Sequence, residues 1–135
     1  MAQNGYYEFK ELSLGKLEFT PASLENGLTY EVSLVPEINE ENENNVRITV
    51  KFKLSDAEEN NCIFYIEDTA YFTISDKFGV FDIENEKVKE MIDIIMNDID
   101  SLVYDISTKS FDKPIELGIS AKNFVEQAKN PNREQ

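Results

Sequence analysis

The side chains able to do acid–base chemistry in this chain are nearly all carboxylates. Its 135 residues hold 27 Asp plus Glu against 13 Lys plus Arg, no His, and one cysteine, Cys62. Zero His removes the commonest general base and metal ligand, and one thiol cannot close an intrachain disulfide or build a thiolate metal cluster. What remains for general acid–base work is a carboxylate pair, such as Asp98 with Asp100 or Glu58 with Glu59. In a chain this acidic such pairs arise by chance. Cys62 has no basic neighbour in sequence to activate it and reads as a small apolar residue. No Gly-rich phosphate loop, zinc spacing or nucleophile elbow occurs. An enzyme is not expected, nor is a metal or cofactor.

A net charge of -14 repels phosphate backbones and anionic membrane surfaces, so neither nucleic acid nor membrane insertion is expected. The partner should be basic, neutral or apolar. No run approaches eighteen apolar residues, and Met1 to Tyr7 lacks the basic start and apolar run of a signal peptide. A cytoplasmic protein is expected.

The elements that would position any site come in two blocks. Val46, Ile48, Val50, Phe52 and Leu54 alternate with Arg47, Thr49, Lys51 and Lys53, the period of a strand with one dry and one wet face. Leu28, Tyr30, Val32 and Leu34 alternate likewise, and Pro36 is expected to end that run. Upstream, Phe9, Leu12, Leu14, Leu17 and Phe19 follow a looser pattern in which Gly15 predicts a bulge or bend. From Cys62 to Ile74 apolar residues fill both faces: Phe64, Ile66, Ala70, Phe72 and Ile74 on one, Ile63, Tyr65 and Tyr71 on the other. That doubling predicts an additional covering surface such as another subunit. Ser55 to Asn61 is a connection of hairpin length, so the strands on either side of it should be antiparallel neighbours. Glu37 to Asn45 is a solvated acidic loop.

From Glu84 the period changes to three and four. Val88, Met91, Ile92, Ile95, Ile99, Leu102, Val103 and Ile106 form the stripe of a long amphipathic helix, starting near Asp82 or Asn85 and broadened by Ile94 and Met96. Pro114 breaks the chain, Ile115 to Ile119 should be extended, and Ser120 can cap a short helix through Phe124. The fold class is α+β: a four-stranded antiparallel sheet, a long amphipathic helix and a short C-terminal helix, forming one domain over 1–128 with a flexible tail at 129–135.

Several strings resemble the SecB family of export chaperones. Phe9-Lys10-Glu11-Leu12-Ser13-Leu14-Gly15-Lys16-Leu17-Glu18-Phe19-Thr20-Pro21 is similar to that family's opening strand, and Val46-Arg47-Ile48-Thr49-Val50 to its third. Phe64 to Ile74 resembles its fourth. Pro114-Ile115-Glu116-Leu117 and Asn123-Phe124 resemble its C-terminal elements, so that the likeness spans about residues 6 to 126. The resemblance implies a homotetramer and an ATP-independent holdase whose apolar grooves take unfolded polypeptide clients on the way to export. Matching positions put Leu12, Phe19, Tyr30, Val32, Leu34, Ile115, Leu117 and Phe124 at the client groove, and Phe64, Ile66 and Asp68 at the tetramer contact. Where the family carries acidic residues that meet the translocase motor SecA, this chain has Lys16, Thr20 and Tyr65. Two alternatives stand beside the export role: a SecB-like chaperone serving a toxin–antitoxin pair, and an acidic interaction or inhibitor protein.

Overall fold

The computed structural model describes residues 5–22, 24–25, 27–111 and 114–117. Four strands, β1 (Tyr7–Phe19), β2 (Leu28–Ile38), β3 (Asn45–Asp56) and β4 (Cys62–Ile74), precede one helix, α1 (Glu86–Ser110). The strands form one antiparallel sheet in the order β1-β4-β3-β2, so the first two strands lie at opposite edges. This is the α+β architecture expected. The short helix predicted beyond Ser120, and with it Phe124, falls outside the described residues.

The irregular spacing of β1 has a geometric resolution. Tyr7, Phe9, Leu12, Leu14, Leu17 and Phe19 are separated by alternating steps of two and three, which no regular strand can place on one face. Pairing with β4 shifts register between Phe9 and Glu11 and again between Leu14 and Lys16. Each shift absorbs one residue, Lys10 and Gly15, as a β-bulge does. All six apolar side chains therefore oppose the even-numbered residues of β4, from Ile74 to Phe64. The bulge expected at Gly15 is present, and a second one accompanies it.

Between β1 and β2 the chain crosses the end of the sheet. The Thr20 amide donates to the Ile63 carbonyl (2.8 Å) and the Ala57 amide to the Gly27 carbonyl (3.0 Å). Gly27 has φ of 85°, a left-handed conformation that favours glycine. β2 does not stop at Pro36; its pairing with β3 runs on through Pro36↔Ile48 to Ile38↔Val46. An edge strand tolerates Pro because alternate N–H groups point away from the sheet. The acidic loop is thereby shortened to 39–44. It is ordered by the Asn39 Oδ1, which accepts from the amides of Glu41 (2.7 Å) and Asn42 (3.1 Å).

The Ser55 to Asn61 hairpin makes β3 and β4 neighbours, as expected. The Asp56 carboxylate closes it, accepting from the amides of Glu59 (2.6 Å) and Asn61 (2.9 Å), which holds its pKa below the ordinary value.

Asn85 caps α1, its Oδ1 accepting from the Lys87 amide at 2.8 Å, an interaction worth about 1 kcal/mol in typical helices. Val88, Met91, Ile92, Ile95, Met96, Ile99 and Val103 are buried, and α1 lies over β4 and β3. The even residues of both strands, from Val46 to Leu54 and from Phe64 to Phe72, meet it with essentially no exposure. Ile94, Leu102 and Ile106 are only half-buried. The helix runs in the direction of β1: the Tyr7 hydroxyl donates to Glu90 (3.1 Å) near its start, and the Phe19 and Phe111 rings meet edge-on at 5.9 Å at its end.

On the odd-numbered face of β4, Tyr65 and Tyr71 are half-buried between the side chains of β1 and β3. One expectation for β4 needs correction. Phe64, Ile66 and Asp68, expected at a tetramer contact, have 0% exposure within a single chain. They form the floor of the core beneath α1 and offer no surface to a second copy.

Candidate functional site

One helix is about 10 Å wide and strands are about 4.8 Å apart, so α1 covers roughly two strands of four. It takes the middle two. The apolar residues of β1 and β2 that share the covered face are therefore left as open flanks on either side of the helix.

On the β2 flank stand Leu28, Tyr30, Val32, Leu34, Pro36 and Ile38, opposite Asp56, Leu54, Phe52, Val50, Ile48 and Val46 respectively. Tyr30 is 38% and Ile38 48% exposed, while Val32 and Leu34 are half-buried against the core. The Tyr30 ring stacks on Phe52 with centroids 6.3 Å apart. An eleven-residue strand spans about 34 Å, the length of some ten residues of extended polypeptide. The β1 flank carries Phe9 (42% exposed) and Leu14 (48%) with the half-buried Leu12 and Leu17.

The segment after α1 doubles back along the helix. The Ile115 amide donates to the Ser107 Oγ (2.7 Å) and the Leu117 amide to the Asp100 Oδ1 (3.2 Å). Lys87, whose ammonium reaches the Gly5 carbonyl, marks the side of α1 facing β1. At 3.6 residues per turn Asp98 falls on that side, three turns on, whereas Asp100 and Ser107 share the side turned toward β2.

The expected groove residues thus divide. Tyr30, Val32, Leu34, Ile115 and Leu117 lie on the β2 side of the helix, with Ile115 buried in the core and Leu117 half-buried. Leu12 and Phe19 lie on the opposite edge of the sheet, Phe19 packed against Phe64 at 4.7 Å. The seven described positions do not line one groove in one chain. Sequence reasoning missed the exposed Phe9, Leu14 and Ile38 and the half-buried Pro36. The two-three spacing of β1 was the signal for the first pair, and the unbroken alternation through Pro36 for the second.

The other face of the sheet is polar and tiled. Lys51 stands across from Glu67, Arg47 pairs with Glu37 at 2.9 Å, and the hydroxyls of Thr49 and Thr69 meet at 2.8 Å. Lys16 and Tyr65, two of the three diverged motor-docking positions, come together here: the Lys16 ammonium sits 5.5 Å above the Tyr65 ring, whose hydroxyl donates to Glu67. Thr20 lies just past the end of β1. A cleft of about 660 Å³ opens beside the 39–44 loop, lined by Lys10, Glu37, Arg47 and Tyr71 among others. Its cations are already paired, Lys10 with Glu8 and Arg47 with Glu37.

No group of acidic residues with Cys suited to a metal ion occurs among the described residues, and no described helix is long and apolar enough to cross a membrane. What the described surface does present is a pair of extended apolar flanks on an acidic chain.

No family model matches the sequence, and neither does any curated protein. Solved structures do match the fold. A SecB-like chaperone of Mycobacterium tuberculosis, in complex with a peptide from an antitoxin, superposes with a TM-score of 0.64 at 13% identity, covering 84% of this chain and 86% of that one. A protein of unknown function from Streptococcus agalactiae gives 0.57 at 12% identity, covering 87% of this chain and 100% of that one. The chain has a SecB-like fold.

Proposed function

We propose that this chain is an ATP-independent holdase that binds unfolded polypeptide along the open apolar flank of β2. The observation that carries this reading is the row from Leu28 to Ile38, apolar, partly exposed and as long as a ten-residue extended segment. Such a surface takes side chains with little sequence discrimination, because apolar contact is non-directional. A monomeric protein with no client has no use for a strip of this kind. The mycobacterial protein of the same fold, a chaperone holding a peptide, supports the reading. The test is whether substoichiometric amounts delay aggregation of a chemically unfolded model protein without ATP. No delay would sink the proposal.

That neighbour's peptide comes from an antitoxin, and this favours a specialised duty toward a toxin–antitoxin pair over general export. The polar face supports the same preference. Lys16, beside the Tyr65 ring, places a positive charge where a basic element of the SecA motor would dock.

The reading includes a homotetramer. With Phe64, Ile66 and Asp68 consumed by the chain's own core, assembly has to use other apolar surface, and the β1 flank with Phe9 and Leu14 supplies it. Light scattering is expected to give about four times the 15.5 kDa chain mass, falling when Phe9 and Leu14 are both changed to Asp. A wild-type protein that stays monomeric at micromolar concentration would remove the tetramer from the proposal.

A further inference from the structure

The even-numbered face of β4 is apolar from Phe64 to Ile74 with one exception. Asp68 has 0% exposure, and its oxygens meet no side-chain donor or cation among the described residues; the neighbouring Thr69 amide, which favours the charged form, is outweighed by burial. Across the sheet it is flanked by Leu14 on β1 and Val50 on β3, which offer nothing polar. The nearest cations on those strands, Lys16 and Lys51, stand opposite Glu67 and so point to the other face. From α1 the charged group facing Asp68 is another carboxyl, that of the half-buried Asp98. Asp105, two turns further on, is exposed, and Lys87 is committed to the Gly5 carbonyl. In the returning segment Glu116 is exposed.

A buried carboxylate with no cation to balance it and a second carboxylate beside it is an arrangement that folding does not tolerate with both groups ionised. One proton between them resolves it, since a protonated carboxyl donates a short, strong hydrogen bond to its ionised neighbour. We infer that Asp68 and Asp98 share a proton across the interface between α1 and the sheet, forming a latch that holds the helix in acid and releases it in alkaline solution. When the latch opens, the proton passes to solvent and two like charges are left facing each other under the helix.

Burial first, and the Asp98 carboxylate second, push the pKa of Asp68 up to about 8. The folded protein therefore keeps a proton that the unfolded chain has already lost. The stabilisation is complete below the ordinary carboxylate range and disappears as pH rises to about 8.

The experiment compares wild type with Asp68→Asn, whose amide can donate to Asp98 but cannot ionise. One proton retained corresponds to a factor of about ten in the unfolding constant per pH unit. Between about pH 5.5 and 7.5 the wild-type constant should rise by about a hundredfold relative to the variant, and amide exchange around Asp98 should accelerate in wild type alone. Parallel pH profiles would overturn the latch. Should Asp68→Asn fail to fold, the carboxyl carbon resonance of Asp68 in the intact chain decides: it should titrate near pH 8 and move down in Asp98→Asn. Titration in the ordinary carboxylate range would refute the proposal.

Discussion

Changing Tyr30, Val32 and Leu34 together to Ser is expected to abolish client holding while leaving a folded protein. Each side chain presents apolar area to a bound segment, and losing it costs about 1 kcal/mol per residue at about 25 cal/mol per Å². Three such losses weaken binding by about a hundredfold, since 1.4 kcal/mol is a factor of ten. The cost to folding is smaller, because Tyr30 is already 38% exposed and Val32 and Leu34 are half-buried on an edge strand. The stacking of Tyr30 on Phe52 would be lost, about 1 kcal/mol more. Affinity for a fluorescent unfolded client, measured beside the thermal midpoint, separates the two effects. Unchanged affinity in a folded variant would move the client site to the β1 flank or to the polar face.

The second large effect concerns Phe64. Its ring is wholly buried beneath α1 and packs on Phe19 at 4.7 Å, so Phe64→Ala opens a cavity in the centre of the core. Such changes cost about 3–5 kcal/mol, a large share of the roughly 5–15 kcal/mol that holds a domain together. The variant is expected to unfold at much lower urea, or to fail to fold at 37 °C. A residue at a subunit contact would behave differently: its truncation would leave a folded chain of lower mass. Urea unfolding combined with light scattering distinguishes these, and a stable, dissociated Phe64→Ala would restore the subunit-contact role and contradict the core placement.

How much of this was legible beforehand follows from what periodicity encodes. Alternation assigns each side chain to a face, which is why β3, a start of α1 near Asp82 or Asn85 and the bulge at Gly15 could be read from spacing. The connection length after β3 gave its pairing with β4 as well. Pro36 misled because a proline stops an interior strand but not an edge strand, and edge or interior is a property of the sheet.

Strand order is decided by tertiary packing. Placing β4 between β1 and β3 puts its even-numbered face wholly beneath α1, while Tyr65 and Tyr71 on its odd-numbered face stay half-buried on the outer side of the sheet. The same order sets β1 and β2 at opposite edges, dividing residues that had been grouped into one groove. Asp68 was visible as an acid on an apolar face, but its meaning needed the helix, because Asp98 is thirty residues away and meets it only once α1 crosses the sheet. Local sequence thus determined which side of each element is dry. Which elements become neighbours, which apolar rows α1 leaves uncovered, and which charges face each other depend on contacts far apart in the chain, and only the folded structure contains those.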